Sequence, residues 1–433
     1  MAIFTVFLAL SCLFSGWPDV SAQGTDRVTI EKLRENLQSA IELEWATIPP
    51  YLNAALSIKE GTNKPVNGIL WSILGNEMDH MALAANMLNA IKGKPVLNAA
   101  KAPRYPGPLP AGCLPDLNVT LEKMTRAHTE RVFMGIETPE CEDSVTKFHD
   151  HLSKAASPDL QASNKMSEKV EDAFPGLLAK CDEEGYSPDT IGAIYIHKIL
   201  CPMYKLEIQA QGSPEGTIFT GDPGRQVSIP FKVSNLTTAI RAIAFIISQG
   251  EGGDACNPYV DDQFAENNKK NVPSHYFKFA EIVHGKAVEY GGKPCRARDP
   301  WCHDYFSPCD GKNCENDITF NGPQVPFDEN DVWPIISNPS TDLYPPGSEA
   351  RKLSDDFNKV YVDVMQCLHD ALNGHPEKLK PDCADDKMVD LKKKGIQLVQ
   401  TPIYPGGPNA SPTYEFDYKE KGQQQQQQQR IEL

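Results

Sequence analysis

Residues suited to metal binding occur in this chain on helical faces that are otherwise apolar. Glu44 lies on one stripe with Leu37, Ala40 and Ile41, because residues three and four apart share one side of a helix. A carboxylate in such surroundings costs free energy unless it is paired or binds a cation. The pattern therefore predicts that Glu44 is a metal ligand inside a helical bundle.

A second segment, from Ile73 to Ala84, adds Glu77 and His80 to this chemistry. These two residues are three apart, so they lie side by side on a helix. A chance Glu-x-x-His motif usually lies on a solvated face, and it is the apolar company of Glu77 and His80 that favours a metal site. Glu from one helix and Glu-x-x-His from another form half of a carboxylate-bridged two-metal centre.

Composition limits the class of protein. The chain has 433 residues, 40% of them hydrophobic, and a formal net charge of −16. It is long enough for a sizeable core and for more than one structural unit. The acidic balance argues against nucleic acid and against an anionic membrane surface as partners, since both attract basic patches.

The N-terminus resembles a secretory signal peptide. A short apolar run, Met1 to Phe14, precedes the small residues Val20-Ser21-Ala22, and residues 1–22 are predicted to be removed. The run lacks the usual Lys or Arg before it and is too short for a good membrane span, and no other segment predicts one. Of the 12 cysteines, Cys12 would leave with the leader. An odd number then remains in a compartment where disulfides are stable.

Two further features fit the secretory pathway. Asn118, Asn235 and Asn409 each begin a glycosylation sequon, although such triplets are common by chance. The chain ends in Arg430-Ile431-Glu432-Leu433 after a Gln tract, which is a relaxed form of an ER-retention signal. The sequence thus predicts a secreted or ER-luminal protein, with an incidental end to a disordered tail as the alternative for the last four residues.

Periodicity predicts a mainly α protein. The first predicted helix covers 29–48, is kinked or broken at Pro49-Pro50, and resumes over 51–58. The other predicted helices are 67–92, 121–134, 189–207, a stripe from Ala239 to Ile247, a helix capped by Ser274, and a hairpin of 354–373 and 385–400. Alternating residues with turn signals predict a small β-hairpin at 217–233. The predicted organisation is a helical domain over 27–290, a Cys/Pro-rich insertion over 291–345, a helical hairpin over 346–402 and an extended tail over 403–433.

Two further site candidates come from the second half of the chain. The stripe that ends at Ile247 leads directly to Glu251, which has glycine on either side. The helix capped by Ser274 carries His275 on one stripe with Phe279. Both polar residues thus continue apolar helical faces.

Four cysteines lie close together in the 291–345 insertion, at Cys295, Cys302, Cys309 and Cys314. Such a group can bind zinc. In an oxidising compartment two disulfides are the favoured interpretation.

Several segments together resemble the ferritin-like domain of the iminophenyl-pyruvate dimer synthase family. The resemblance is carried by Leu43-Glu44-Trp45-Ala46-Thr47-Ile48-Pro49-Pro50-Tyr51-Leu52, Glu77-Met78-Asp79-His80-Met81-Ala82-Leu83-Ala84-Ala85-Asn86, Thr190-Ile191-Gly192, Gln249-Gly250-Glu251-Gly252 and Ser274-His275-Tyr276-Phe277-Lys278-Phe279. It implies a ferritin-like helical bundle over roughly residues 29 to 418.

The resemblance implies Glu44, Glu77, His80, Glu251 and His275 as metal ligands. The chain departs from a complete two-metal pattern, because the residue three before His275 is Val272, which cannot bind a metal. Five ligands are compatible with one ion, or with an asymmetric pair completed by water.

Glu and His ligands with open positions suit iron, with manganese as the other choice, and iron of this kind activates dioxygen. The predicted function is a metal-dependent oxidoreductase acting on a small organic substrate, such as one derived from an amino acid. The alternative is a non-catalytic metal-binding or structural protein. Oxidative coupling of aromatic imines, as in the family named above, rests on analogy alone. The sequence does not indicate an oligomeric state.

Overall fold

The computed structural model describes residues 28–139, 174, 176–182, 190–250, 258–260, 264, 269–290 and 318–417. Its longer helices are α1 (Ile30–Ser57), α2 (Lys64–Ala90), α3 (Arg126–His128, Thr129–Phe133 and Met134–Ile136 in succession), α4 (Leu177–Cys181), α5 (Ile191–Ala193, Ile194–Leu200 and Cys201–Ala210 in succession), α6 (Leu236–Gln249), α7 (His275–His284), α8 (Glu349–Leu372) and α9 (Ala384–Val399). The chain is therefore mainly α-helical, as predicted, and its helices pack as a ferritin-like bundle.

Helices α1 and α2 form the central hairpin of the bundle. Thr29 caps α1 by accepting a hydrogen bond from the Lys32 amide at 3.1 Å. The apolar stripe that begins at Leu33 and Leu37 is fully buried. Because α1 and α2 pack along their lengths, polar residues on these stripes must point into the protein.

Of the kink or break predicted at Pro49-Pro50, the break is wrong, since α1 continues to Ser57 with both prolines inside it. A proline in a helix removes the amide that would bond to the carbonyl four residues earlier. For Pro50 that carbonyl belongs to Ala46, and it accepts a hydrogen bond from the Tyr105 hydroxyl at 2.6 Å instead. Tertiary packing thus replaces a bond that the sequence of the helix alone cannot supply.

The small antiparallel sheet lies elsewhere than predicted. Its strands are β1 (Glu289–Tyr290) and β2 (Ile318–Thr319). The predicted hairpin at 217–233 contains no strand and instead has a 3₁₀ turn at Pro223–Arg225. In that segment Gln226 both donates to and accepts from Val233, so a side chain makes the cross-connection that a backbone ladder would have made.

Helices α8 and α9 form the predicted C-terminal hairpin, which packs against α1 and α2. Gly395 permits the close approach of α9 to α1: a β-carbon there would lie 2.6 Å from Leu56 Cδ1. A disulfide between Cys367 and Cys383 links the two helices, with Cα atoms 5.7 Å apart. The hairpin is thereby held as one unit against the bundle.

A second disulfide joins Cys181 in α4 to Cys201 in α5, with Cα atoms 5.3 Å apart. Two such pairs are consistent with an oxidising secretory compartment.

The leader, the C-terminal tetrapeptide and the cysteines Cys295, Cys302, Cys309 and Cys314 lie outside the described residues. Among the helices that are described, none has the length and apolar character needed to cross a bilayer.

The three sequons differ in exposure. Asn118 and Asn235 are exposed. Asn409 is buried, and its amide donates to the Val399 carbonyl at 2.7 Å. The folded chain therefore offers the first two sites, and not the third, to solvent.

Candidate metal centre

Glu44 lies on the inner face of α1, where its side chain is completely buried. The stripe identified in the sequence packs against α2 and α5, and this packing places the carboxylate in the middle of the bundle. The Tyr195 hydroxyl donates a hydrogen bond to Glu44 Oε1. One oxygen of the carboxylate is thus fixed in position while the other, Oε2, faces the interior.

Glu77 and His80 lie side by side on the inner face of α2, as their spacing predicts, and both are completely buried. Thr47 Oγ1 donates to Glu77 Oε2 at 2.7 Å. The distance between His80 Nδ1 and Glu44 Oε2 is 3.6 Å. The three residues predicted from the first two stripes therefore meet at one point.

His275 opens α7 and Glu137 follows directly after α3, and both side chains are completely buried. His275 Nδ1 lies 2.9 Å from Glu77 Oε1 and 3.5 Å from Glu137 Oε2. The Tyr51 hydroxyl donates to Glu137 Oε1 at 2.6 Å. Glu77 thus stands between two groups of potential ligands.

Glu137 is the site residue that sequence reasoning missed. The helix predicted from the sequence covers 121–134, so Glu137 falls outside it. Glu137 is four residues after Phe133 and three after Met134, both of which are buried. The signal that identified Glu44, a carboxylate continuing an apolar stripe, was therefore present and would have been found with a longer helix.

π-Helical segments adjoin the cluster on two sides. Tyr195 lies inside the segment Ile194–Leu200 of α5, and Glu137 follows shortly after the segment Thr129–Phe133 of α3. Such segments insert a residue into the helical register and often occur at functional sites. Here they set the rotation at which Tyr195 and Glu137 reach the centre.

Within the described residues, two groups have ligand atoms close enough to hold a metal ion, and they share Glu77. One consists of Glu44, Glu77 and His80, the other of Glu77, Glu137 and His275, and within each group the ligand atoms lie within 4.8 Å of one another. The rings of His80 and His275 stack with centroids 5.6 Å apart. This arrangement has the form of a two-ion site with one bridging carboxylate.

The polar atoms of the cluster divide into an inner and an outer set. The inner atoms Glu44 Oε2, Glu77 Oε1, Glu137 Oε2 and His80 Nδ1 are buried, and no aligned hydrogen-bond partner for them occurs in the described part of the chain. Each outer carboxylate oxygen accepts a hydroxyl hydrogen bond, as described above. Buried polar groups are normally satisfied, so these four converging atoms are suited to bind a cation.

The two imidazoles are oriented from outside the cluster in the same way. His80 Nε2 lies 3.2 Å from Gln249 Oε1, and His275 Nε2 lies 3.2 Å from Asn76 Oδ1. Because an amide oxygen only accepts, each Nε2 carries a proton, so Nδ1 is the ring nitrogen that faces the cluster and could bind a metal ion. Metal-binding histidines are commonly fixed by such a bond from the second ring nitrogen.

Burial and mutual repulsion make the charges of the cluster interdependent. Burial raises the pKa of Glu44, and burial together with the charge of Glu77 raises the pKa of Glu137. Burial also opposes ionisation of Glu77, but the hydrogen bond and charge of His275 lower its pKa. Burial lowers the pKa of His80, but the bond to Glu44 and the charges of Glu77 and Glu44 outweigh it and raise that pKa to about 9. A bound cation would supply the same compensation without protons.

Glu251, the remaining predicted ligand, lies outside the described residues. The residue before it, Gly250, ends α6 at the cluster: a β-carbon on Gly250 would lie 3.2 Å from His275 Nδ1 and 3.3 Å from Glu137 Oε2. A side chain at this position would crowd these atoms. Four of the five predicted residues are therefore brought together, and Glu137 joins them.

Comparison with known proteins agrees with this architecture. A family model described as ferritin-like matches residues 37–284, which is more than half of the chain and includes every residue of the cluster. A solved ferritin-like protein from Caulobacter vibrioides is similar, with 17% sequence identity, a TM-score of 0.49, and coverage of 89% of this chain and 99% of that chain. No curated protein matches the sequence.

Proposed function

The chain belongs to the ferritin-like family, and we propose that it is an iron-dependent oxidoreductase whose buried cluster holds two ions. Glu44 and His80 are assigned to one ion, Glu137 and His275 to the other, and Glu77 to both. The observation that carries this assignment is the division of the cluster into inward atoms without aligned partners and outward atoms with them. That division matches a set of ligands oriented by outer hydrogen bonds.

The ligand types support iron, with manganese as the competing ion. Three carboxylates and two neutral imidazoles are oxygen and nitrogen donors without thiolate, a set that suits both metals and disfavours copper(I). Iron with open coordination positions supplies dioxygen chemistry, in which electrons pass from a substrate to oxygen. The chain itself holds the carboxylates and imidazoles in fixed orientations and keeps bulk water away from them, since all five side chains are completely buried.

Aromatic side chains beside His80 support an apolar or aromatic organic substrate. The Phe245 ring lies 6.1 Å from the His80 ring, and Phe264 and Phe231 pack edge-on against Phe245 at 5.7 and 6.2 Å. These rings provide an apolar wall next to the assigned iron ligand. Together with the resemblance to the iminophenyl-pyruvate dimer synthase family, this wall leads us to propose a small substrate derived from an aromatic amino acid.

Secretion is part of the proposal. Entry into the secretory pathway is supported by the apolar leader, by the disulfides Cys181–Cys201 and Cys367–Cys383, and by the exposed sequons at Asn118 and Asn235.

Retention in the ER through Arg430-Ile431-Glu432-Leu433 is the further proposal for the tail. Appending one residue to the C-terminus would block a receptor-read tetrapeptide, so the protein should move from the ER to the medium; unchanged distribution would contradict retention.

Oxygen consumption distinguishes an enzyme from a metal-binding scaffold. The anaerobically reduced, iron-loaded protein is expected to consume dioxygen within minutes of mixing and to change its absorption spectrum, and aromatic amino-acid derivatives are expected to increase the number of turnovers. A Glu137→Ala variant should lose most of this reactivity, while Glu42→Ala, which changes a partly exposed carboxylate on the same α1 helix as Glu44, should retain it. Iron-loaded wild type that leaves oxygen untouched would overturn the proposal in favour of a non-catalytic protein.

A Glu251→Ala variant tests the remaining ligand. Because Gly250 lies against the cluster, we propose that Glu251 completes the ion held by Glu137 and His275. The variant should retain the ion assigned to Glu44 and His80 and should react slowly with oxygen. Full reactivity with two ions bound would remove Glu251 from the ligand set and leave the other five residues in place.

A further inference from the structure

A pocket away from the metal cluster is formed by other faces of α1 and α2, the two helices that carry Glu44, Glu77 and His80. It has a volume of about 120 Å³ and lies between α1, α2, α8, α9 and the extended segment that contains Tyr414. Trp45, Met78 and Met81 form part of its wall. Each is the sequence neighbour of a cluster residue and therefore points about 100° away from it around the helix. The pocket is thus separate from the metal centre.

The wall of this pocket is almost entirely apolar. Its lining includes the rings of Trp45 and Trp71 and the side chains of four methionines, Met78, Met81, Met365 and Met388. Methionine is flexible and polarizable, and it adapts to aromatic partners. A cavity of roughly 150 Å³ with an apolar lining accepts benzene. The pocket therefore has the size and surface for one aromatic ring.

Two tyrosines, Tyr361 and Tyr414, contribute to the lining of this apolar pocket. Tyr414 is 5% exposed, and among the described residues its hydroxyl has no hydrogen-bond partner. The Tyr361 ring packs edge-on against Tyr414 with centroids 5.4 Å apart, and the Tyr361 hydroxyl accepts from Trp45 Nε1 at 2.8 Å. A buried hydroxyl without a partner is uncommon and costly, so a ligand atom that accepts a hydrogen bond would fit here.

The conformation and protonation of Tyr414 agree with this role. Its φ is +54°, in the left-handed region that non-glycine residues rarely adopt. Strain of this kind persists where surrounding structure holds a side chain in a required place. Burial, with a further contribution from Tyr361, raises the pKa of the Tyr414 hydroxyl, so it remains a hydrogen-bond donor at neutral pH.

The charged residue at the pocket favours a ligand with a negative charge. Lys392 is the charged residue in the wall, and its Nζ lies 4.1 Å from the centroid of the Trp71 ring. Lys392 is exposed, so it acts at the mouth, where a cationic side chain favours the approach of anions. An apolar ring-sized space, the Tyr414 hydroxyl in its lining and a cation at the mouth together favour an aromatic acid.

We propose that this pocket is a binding site for a small aromatic acid, one ring bearing one carboxylate, which accepts a hydrogen bond from Tyr414 and is distinct from the substrate of the metal centre. The proposal does not depend on metal binding. Metal content and ligand binding can therefore be measured separately, and failure of one leaves the other intact.

Benzoate is the probe for this site. Added to the full chain loaded with metal, it should bind saturably in the millimolar range or tighter, as measured by calorimetry and by the fluorescence of Trp45 and Trp71. Tyr414→Phe removes one hydroxyl and should weaken binding about tenfold. The matched control Tyr404→Phe removes an exposed hydroxyl outside the pocket and should bind like wild type.

Further variants separate shape from charge. Met365→Trp should fill the pocket and abolish binding, with circular dichroism and metal content confirming that the protein is folded. Lys392→Gln should weaken benzoate binding several-fold at low salt, whereas Lys393→Gln, its exposed neighbour outside the pocket, should not.

Wild-type affinity in Tyr414→Phe and Met365→Trp would overturn the proposal. So would tighter binding of toluene than of benzoate, or no saturable binding, which would mean that the pocket is apolar only or is covered by another part of the chain.

Discussion

Two buried polar clusters in this protein contrast in how their hydrogen bonds are completed. One is the proposed metal centre. The other joins α8 to the C-terminal segment through four buried residues, Thr341, Ser354, Asn358 and Thr413. In the second cluster Asn358 donates to Thr341 Oγ1 at 3.2 Å and to Thr413 Oγ1 at 2.7 Å, and it accepts from the Glu415 amide at 3.0 Å. Its members are neutral and satisfy one another.

The comparison shows that buried polarity alone does not identify a site. The neutral cluster is complete as it stands, so it fixes the C-terminal segment against α8. The metal centre has its outer atoms bonded and four inner atoms converging without aligned partners. A ligand belongs where the hydrogen bonds are missing. The two clusters should therefore respond differently to metal and to mutation.

Removal of metal should produce the largest change. The emptied centre retains three buried carboxylates close together, and ligand binding at a thousandfold excess over Kd stabilises a fold by about 4 kcal/mol. Treatment with a chelator should lower the thermal midpoint by roughly 5 °C, measured by calorimetry, and added iron should restore it. An unchanged midpoint would mean that the carboxylates are compensated without an ion.

Mutation of the neutral cluster should reduce stability without affecting metal. Asn358→Ala leaves two hydroxyls and one amide without their partner, and the free energy of unfolding should fall by about 2 to 3 kcal/mol. Denaturant titration and metal analysis measure the two effects. Gln366→Ala, an exposed change on the same helix, is the control and should be nearly neutral. Loss of metal in Asn358→Ala would break the distinction between the clusters.

Removal of an outer hydrogen bond at the metal centre should weaken metal binding more than it weakens folding. Tyr195→Phe frees Glu44 Oε1, and Tyr51→Phe frees Glu137 Oε1. Outer partners of metal ligands typically contribute about tenfold to a hundredfold in affinity. Competition with a chromophoric chelator should show that each variant loses affinity mainly at its own ion. Equal loss at both ions would argue against two separate positions.

Acidification should oppose metal binding at His80. The carboxylates beside it raise its pKa to about 9, so in the metal-free protein His80 is protonated below that pH and an incoming ion must displace the proton. Affinity should therefore rise by up to about tenfold per pH unit between about pH 6 and about pH 8, with proton release detectable by calorimetry in two buffers. Affinity independent of pH would contradict a role for His80 as ligand.

The sequence predicted the centre of the bundle better than its edges. Glu44, Glu77 and His80 lie inside long helices, where the repeat of apolar residues determines which side chains point inward. Glu137 lies just beyond a helix end, where periodicity fades, and it was missed. The uninterrupted helix through Pro49-Pro50 depends on Tyr105, which is distant in sequence. A local pattern cannot contain that bond.

The same reasoning explains the misplaced β-structure. Segment 217–233 has the alternation and turn residues of a hairpin, but the Gln226 side chain makes the cross-connection to Val233. The actual strands, Glu289–Tyr290 and Ile318–Thr319, are two residues each. Strands so short carry almost no periodic signal. Short elements that are fixed by contacts between distant residues are therefore the part of the fold that a single sequence predicts least well.

Metal stoichiometry of the wild type and of Glu77→Gln tests the central claim most directly. Glu77 belongs to both ligand groups, and the substitution keeps its size while removing its charge. We predict two iron ions per chain in the wild type, fewer than one in Glu77→Gln, and two in the control Glu42→Gln. Two ions retained in Glu77→Gln, or none bound by the folded wild type under saturating anaerobic iron, would contradict a two-ion centre bridged by Glu77.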